Sequence, residues 1–310
     1  MNGVRQPAVV IEGGVRAVSD SIAILWRFSR PHTIIGTTLS VVGLYAIAAE
    51  AGHSSGGLDL FATLIAAWGV NLAIVGLNQV EDVEIDRINK PDLPIAAGDL
   101  TEGTARVIVA IAAVVPVAMA VTQGVLELVA VLTALVVGAS YSLPPLRLKR
   151  FPAVAALSIS LVRSVVVNLG VFGHFAGSLE AVPGIVWALT LFVVPFGLAI
   201  ALLKDVPDVP GDRQFSIRTF SVRLGPGRVV AIAVALLSAD YVSMSVAGAV
   251  VLGAVAVPLW VLGHAAALAV LVLAWRGVHS HDPSSVARFY HRVWGLFFLE
   301  YVLVPITVIV

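Results

Sequence analysis

Residues 59–86 read DLFATLIAAWGVNLAIVGLNQVEDVEID: an uncharged, mostly apolar run from Leu60 to Val80 that ends in Glu81, Asp82, Glu84 and Asp86. The run is about as long as the roughly 20 residues a helix needs to cross a bilayer. All of the acids after it stand at one end. The arrangement recurs where an apolar stretch over 183–203 runs into Lys204-Asp205-Val206-Pro207-Asp208-Val209-Pro210-Gly211-Asp212-Arg213. In a 310-residue chain with 59% hydrophobic and only 12% charged residues, carboxylates gathered at two points need a physical reason.

The rest of the chain has the same character. Mean hydropathy is +0.98, and a soluble domain rarely exceeds about half apolar residues. Continuous apolar runs, not two-residue alternation, favour helices over a barrel. The pattern predicts an all-α membrane protein with nine spans, near 33–50, 59–79, 104–122, 125–142, 153–176, 183–203, 228–246, 250–274 and 289–309. Residues 1–20 read as a flexible segment without a signal-peptide core, and 21–310 as one transmembrane domain. Within 21–30, Ile22, Leu25, Trp26 and Ser29 with Arg27 and Arg30 suit an amphipathic interfacial helix, and Pro31 marks a break after it. Cysteine is absent, which excludes disulfides, thiolate nucleophiles and Cys-based metal sites. The formal net charge is zero, so nothing suggests a nucleic-acid partner; a lipid bilayer is the expected surrounding.

The basic residues sort to one side. Arg5, Arg16, Arg27 and Arg30 precede the first span, Arg87 and Lys90 follow the second, and Arg147, Lys149 and Arg150 follow the fourth. Lys204, Arg213, Arg218, Arg223 and Arg228 lie between the sixth and seventh, and Arg276, Arg288 and Arg292 between the eighth and ninth. The opposite loops carry no Lys or Arg. Positive loops stay in the cytoplasm, so the N-terminus and both acidic clusters are expected there. Arg163 breaks the pattern, about 15 Å into the fifth span at 1.5 Å per residue, and intramembrane arginine usually faces a cavity or a partner. The two clusters also suggest a coarse repeat of spans one to four and five to eight around a shared centre.

Asn78, Asp82 and Asp86 are four residues apart, which on a helix puts them on one face. Asp205, Asp208 and Asp212 keep a similar spacing, but Pro207 and Pro210 argue against a continuous helix there. Hard oxygen ligands suit Mg²⁺, which binds through one or two carboxylates plus substrate phosphate. Two such faces across a cavity are expected to bracket a diphosphate with two Mg²⁺ ions. Lys204, Arg213, Arg147 and Lys149 are candidate contacts for phosphate oxygens, and Tyr141 is a hydrogen-bond donor at the same face. An apolar chamber behind the diphosphate implies an isoprenoid tail, and it keeps an allylic cation from water until an aromatic ring attacks it.

Five stretches carry a family resemblance. The stretch from Asn78 to Gly98 resembles the first aspartate motif of the UbiA prenyltransferase superfamily, in the wording of its homogentisate prenyltransferase branch. Lys204 to Arg213, with Ile217 to Gly225 after it, is similar to that branch's second motif. Phe28 to Thr33, Tyr141 to Pro145 and Val162 to Phe175 also match. The resemblance runs from about Trp26 to the last span. It implies nine transmembrane helices around a central cavity and Mg²⁺-dependent transfer from a long-chain prenyl diphosphate, such as phytyl or geranylgeranyl, to an aromatic acceptor. In that branch the acceptor, homogentisate, loses carbon dioxide as it is prenylated, on a route to prenylquinones or tocopherols. Carried over by position, Asn78, Asp82, Asp86, Asp205, Asp208 and Asp212 would organise Mg²⁺-diphosphate, with Asp82, Asp86, Asp205 and Asp212 as the catalytic carboxylates. Arg163 and Asn168 would face the acceptor. Pro210 departs from the branch pattern and puts the local geometry of the second motif in question. The long leader of plastid relatives is missing, consistent with a bacterial inner-membrane protein.

Other readings stand beside these. Chlorophyll-type, naphthoquinone and haem-precursor prenylation share the aspartate motifs, and a cation-coupled secondary transporter would also use intramembrane carboxylates. Glu81 and Glu84 read as solvated acids, and Arg30 and His32 equally as surface anchors. Arg163 could pair with Glu300 and Asn168 could link helices. His174 lies about 16 Å along the helix from Arg163 and reads as interfacial. Asp240 and His264 read as interhelical hydrogen-bonding groups.

Overall fold

The computed structural model describes residues 20–53, 56–180, 182–253 and 255–310. Apart from Asp20, the expected flexible segment lies outside them, as do Arg5 and Arg16. Among the described residues nine helices are long and apolar enough to cross a membrane: Pro31–Glu50, Gly57–Glu81, Glu102–Gln123, Val125–Ser142, Pro152–Ala176, Gly184–Lys204, Pro226–Val251, Val257–Arg276 and Pro283–Ile309. They are called spans one to nine below. Among the described residues there is no strand.

Local chemistry fixes where each span starts and stops. Proline stands in the first turn of spans one, five, seven, eight and nine, where its missing N–H is not needed. Thr101 caps span three by accepting from the Thr104 amide at 3.2 Å, satisfying one of that helix's free donors. Gly124 makes the one-residue turn between spans three and four with φ 121°, a conformation that side chains strongly disfavour. Expected boundaries move in two places: span nine starts at Pro283 and not near 289, and the turn between spans seven and eight shifts. Span seven runs to Val251 and span eight starts at Val257, because the sequence stays apolar through the turn and Pro258 alone marks the new helix.

The spans pack in two layers. Spans one, two, four, five, six and nine form a closed ring, each touching the next. Span three lies outside spans two and four, span seven outside span six, and span eight against spans seven and nine. Outer faces such as Val107, Ile111 and Val114 on span three are exposed, as a lipid-facing surface requires. The expected repeat has a counterpart in contacts: span two packs on span three, and span six on span seven. It fails at the end, where span nine and not span eight completes the ring.

The main core joins spans one, five, six, seven, eight and nine through Leu44, Phe172, Phe196, Leu237, Trp260 and Phe297. Burial of such side chains contributes roughly 1.5–3 kcal/mol each. Within it, His264 Nε2 lies 3.0 Å from Glu300 Oε1 and His264 Nδ1 lies 2.7 Å from the Trp260 carbonyl. Glu300 is thereby engaged and does not pair with Arg163.

Residues 20–28 form the short helix before span one. It exposes Ile22, Leu25 and Trp26 and buries Phe28 against Val80, Val83, Ile95 and Ala105. Gln79 donates to the Phe28 carbonyl at 2.7 Å, and Arg27 binds Asp99 at 2.7 Å. These contacts hold the start of span one against the end of span two, where the first acidic cluster stands.

Candidate active site

The six ring spans enclose a cavity of about 270 Å³. Its middle is walled by Val70, Ile74, Ala134, Val137, Val166 and Ile200. Arg30, Asn78, Tyr141 and Lys204 stand at the end that carries the acidic clusters. The opposite end also has polar groups, Thr63 and Glu127.

The first cluster is a kinked pair of helices. Span two stops at Glu81, Asp82 takes φ −114° and ψ 19°, and a second helix runs over Val83–Asn89. The Asp82 amide still donates to the Asn78 carbonyl at 3.1 Å and the Asp86 amide to the Asp82 carbonyl at 2.8 Å. The four-residue register therefore survives the break. Asn78 Nδ2 donates to Asp82 Oδ2 at 2.8 Å. Lys149 Nζ reaches Asp82 Oδ1 at 2.6 Å, and Arg147, in a left-handed conformation with φ 39°, lies 3.7 Å from the same oxygen.

The second cluster breaks where its prolines predict and then resumes. Asp205 ends span six, Pro207 lies in the turn, and Asp208 precedes a helix over Val209–Gln214 whose first turn holds Pro210. The proline that departs from the branch pattern thus sits where a helix accepts it. Asp212 is on this helix and accepts from Thr219 at 3.1 Å. Lys204 donates to the Tyr141 hydroxyl at 3.2 Å and lies 3.5 Å from Asp205.

Two residues missed at the sequence level join the clusters. Lys90 Nζ hydrogen-bonds Asp208 and lies 3.9 Å from Asp86. Asn89 Oδ1 accepts from the Gly211 amide at 2.9 Å, and a side chain at Gly211 would collide with Asn89. Lys90 stands four residues after Asp86, which continues the Asn78 register by one more turn. That spacing was the available signal, but its partner is 118 residues away.

Asp86 and Asp212 are 5% exposed and sit among like charges. Burial, then Asp82 and Asp208, push the Asp86 carboxyl up to about 6 against the pull of Lys90 and Arg30. Burial, then Asp208 and Asp205, push Asp212 up to about 7. Burial also lowers Lys149, opposed by Asp82. The unfolded chain loses the two aspartate protons near pH 4, while the folded chain keeps them to about 6 and 7. Their contribution to stability is therefore full below about pH 4 and is lost as pH rises through the folded values. In metal-free buffer the unfolding free energy is expected to fall between pH 5 and pH 8, by an amount on the order of a few kcal/mol, and the melting temperature with it. A divalent cation, which favours the ionised form, should flatten that slope. A melting temperature independent of pH in chelator would contradict this.

The donor set fits a hard divalent cation. Asp86 Oδ2 is buried with no hydrogen-bond partner, and carboxylates from both clusters meet at Lys90. Among the described residues no three acids or histidines converge tightly enough to hold an ion alone. Such a site needs phosphate oxygens to complete it, which is how Mg²⁺ is usually held.

The acceptor-side candidates separate. Arg163 lines the cavity with its guanidinium 4.7 Å from the centroid of Trp294 and 5.2 Å from that of Phe297. Its Nε is buried without a hydrogen-bond partner, and among the described residues no carboxylate pairs with it. Trp294 is also 4.9 Å from His32, the second residue of span one. Arg163 is therefore nearer the cavity mouth than a count along its own span predicts. Arg30, His32 and Tyr290 line the same wall, so Arg30 and His32 are cavity residues and not only surface anchors. Residues 162–169 are wound as a π-helix, a local widening common at functional sites. Asn168 does not line the cavity; it is fully buried and accepts from the Tyr301 hydroxyl at 2.5 Å, which corrects its placement at the acceptor to a link between spans five and nine. Arg213 is exposed and off the cavity wall, because the 209–214 helix turns it away from Asp212.

Comparison with known proteins places this geometry. Residues 37–300 match the model of the UbiA prenyltransferase family. The chain is 43% identical to a homogentisate phytyltransferase of Synechocystis sp., over 93% of this chain and 96% of that one. It is 37% identical to a chloroplastic homogentisate solanesyltransferase of Arabidopsis thaliana, over 90% of this chain and 75% of that one. The solved structure of a UbiA homolog from Archaeoglobus fulgidus bound to GPP and Mg²⁺ superposes with a TM-score of 0.65 at 17% identity, covering 91% and 99% of the two chains.

Proposed function

The chain belongs to the UbiA prenyltransferase family, and from that premise we propose that it transfers the prenyl group of a long-chain prenyl diphosphate to homogentisate, in prenylquinone or tocopherol-type biosynthesis. It is an integral, multi-pass membrane enzyme. The observation that carries the reading is the meeting of Asp86 and Asp208 on one lysine, Lys90, at the mouth of an apolar cavity. The relatives' names, phytyl- and solanesyltransferases of homogentisate, support the acceptor.

The reaction breaks the allylic C–O bond, and diphosphate leaves with the electron pair. An aromatic carbon of the acceptor forms the new C–C bond and the ring loses a proton; the acceptor's carboxymethyl group separately loses carbon dioxide and takes up a proton, which leaves a methyl group. Asn78, Asp82, Asp86, Asp205, Asp208 and Asp212 would hold two Mg²⁺ ions. When bound, Mg²⁺ supplies positive charge against the diphosphate oxygens. Lys149, Lys204 and Arg147 place further positive charge at the same mouth, and the Tyr141 hydroxyl sits beside Lys204. The apolar wall from Val70 to Ile200 excludes water from the cation. Arg163 and the Trp294 ring would take the acceptor's carboxylate and aromatic face, a role supported by their position on the cavity wall. The Arg and Lys residues flanking the mouth support a cytoplasmic orientation, in a bacterial inner membrane.

Purified protein supplied with geranylgeranyl diphosphate, Mg²⁺ and a panel of homogentisate, a hydroxynaphthoate and a chlorophyllide tests this by product mass spectrometry. Prenylated, decarboxylated homogentisate is the expected product. Product from another acceptor alone would overturn the assignment.

A further inference from the structure

A chamber that receives a hydrocarbon tail has no evident need of a carboxyl group at its blind end. Glu127 nonetheless lines that end, is 3% exposed, and has no charged or hydrogen-bonding partner among the described residues. Thr63, fully buried, lines the same end and donates to Gln123 Oε1 at 3.2 Å. Gln123 Nε2 is buried without an acceptor. Gln123 itself lines not this cavity but a second one of about 420 Å³, shared with Asp59, Met119 and His174. The Thr63–Gln123 hydrogen bond is thus the partition between the two spaces.

Two independent spans put this partition at one depth. Fifteen residues separate Asn78 at the mouth from Thr63 in span two, about 22 Å of helix; fourteen separate Tyr141 from Glu127 in span four, about 21 Å. A tail of four isoprene units has sixteen main-chain carbons. With C–C bonds of about 1.5 Å it extends roughly 20 Å, so its last methyl groups arrive just short of Glu127. Each further unit adds about 5 Å and would press apolar carbon against an unpaired carboxyl group and break the Thr63–Gln123 bond. Neither polar group gains a partner in exchange, and such burial is unfavourable.

We propose that Thr63, Gln123 and Glu127 form a polar floor that sets the donor's tail at about four isoprene units and selects against longer ones. The proposal rests on the reading of the cavity as a prenyl diphosphate site. It makes Glu127 a specificity-determining residue, and it separates this chain from a solanesyl-type preference.

Binding of non-reactive prenyl thiolodiphosphates with three, four and nine isoprene units, measured with Mg²⁺, tests it without an acceptor. The full-length protein should bind the four-unit analogue about tenfold more tightly than the nine-unit one. In Glu127→Ala/Gln123→Ala the second cavity becomes continuous with the first, and the two affinities should become equal. Glu127→Gln keeps a polar floor and should keep the wild-type ratio, while Thr63→Val should shift it part of the way. The four-unit affinity in each variant reports whether the mouth is intact, so a folding defect is separable from a change in preference. Equal wild-type affinity for four and nine units, or an unchanged ratio in the double variant, overturns the floor. No binding at any length removes the donor reading along with it. Binding that follows the floor pattern without turnover of homogentisate leaves the floor standing and removes only the acceptor.

Discussion

Asp212→Ala should lower prenyl transfer by about a thousandfold or more, the scale of losing a group that organises charge around a leaving anion, without destabilising the metal-free protein. The second half of that expectation gives the test its force. Asp212 is buried beside Asp208 and Asp205, and its one hydrogen bond comes from Thr219. Removing it relieves like-charge repulsion, so the melting temperature in chelator should stay level or rise. What disappears is the stabilisation by Mg²⁺ with a prenyl diphosphate analogue, because ligands stabilise only through the state that binds them. Asp82→Ala should be as inactive but differ in stability. Asp82 is the partner of Lys149, which is itself largely buried, and leaving a buried charge without its partner costs up to about 3–5 kcal/mol. Full turnover in either variant, or wild-type stabilisation of Asp212→Ala by Mg²⁺ and analogue, would sink the assignment of these carboxylates.

Much of the fold was legible because a bilayer imposes local rules. A run such as Leu60 to Val80 has to be a helix, and the charges that end it have to sit at a surface. The same locality exposed Asn78, Asp82 and Asp86, whose register is a property of one helix and survives the kink at Asp82. What failed to show was long-range. Lys90 looked like one more loop cation, since nothing near it in sequence announces Asp208. Asn168 looked like a cavity residue until Tyr301, 133 residues away, took its oxygen. The height of Arg163 was misjudged because residue counts measure depth along one helix, while helices enter the bundle at different levels. Span nine completes the ring by tertiary packing alone, which no repeat in the sequence predicts. The turn before span eight was hidden by its own hydrophobicity.

Arg163→Leu should raise KM for a carboxylate-bearing acceptor by about a hundredfold, and change KM for the prenyl diphosphate by no more than about threefold. The asymmetry follows from where the guanidinium lies. It is stacked on Trp294 and Phe297 near the cavity mouth, its Nε has no partner, and Glu300, the one acid deep in span nine, is held by His264. A buried guanidinium without a protein carboxylate is a receptor for one from outside, and its planar fork suits bidentate binding. Lys149 and Lys204, proposed for the diphosphate, belong to other elements and keep their contacts to Asp82 and Tyr141 in the variant. Arg163→Lys should recover only part of the loss, since an ammonium group can neither form the fork nor stack in the same way. An acceptor of the same ring without its carboxylate separates recognition from packing: wild type should use it poorly, and Arg163→Leu should lose almost all of the difference between the two acceptors. If KM for donor and acceptor rise together, or the variant still discriminates between them, Arg163 supports the bundle and does not bind the acceptor.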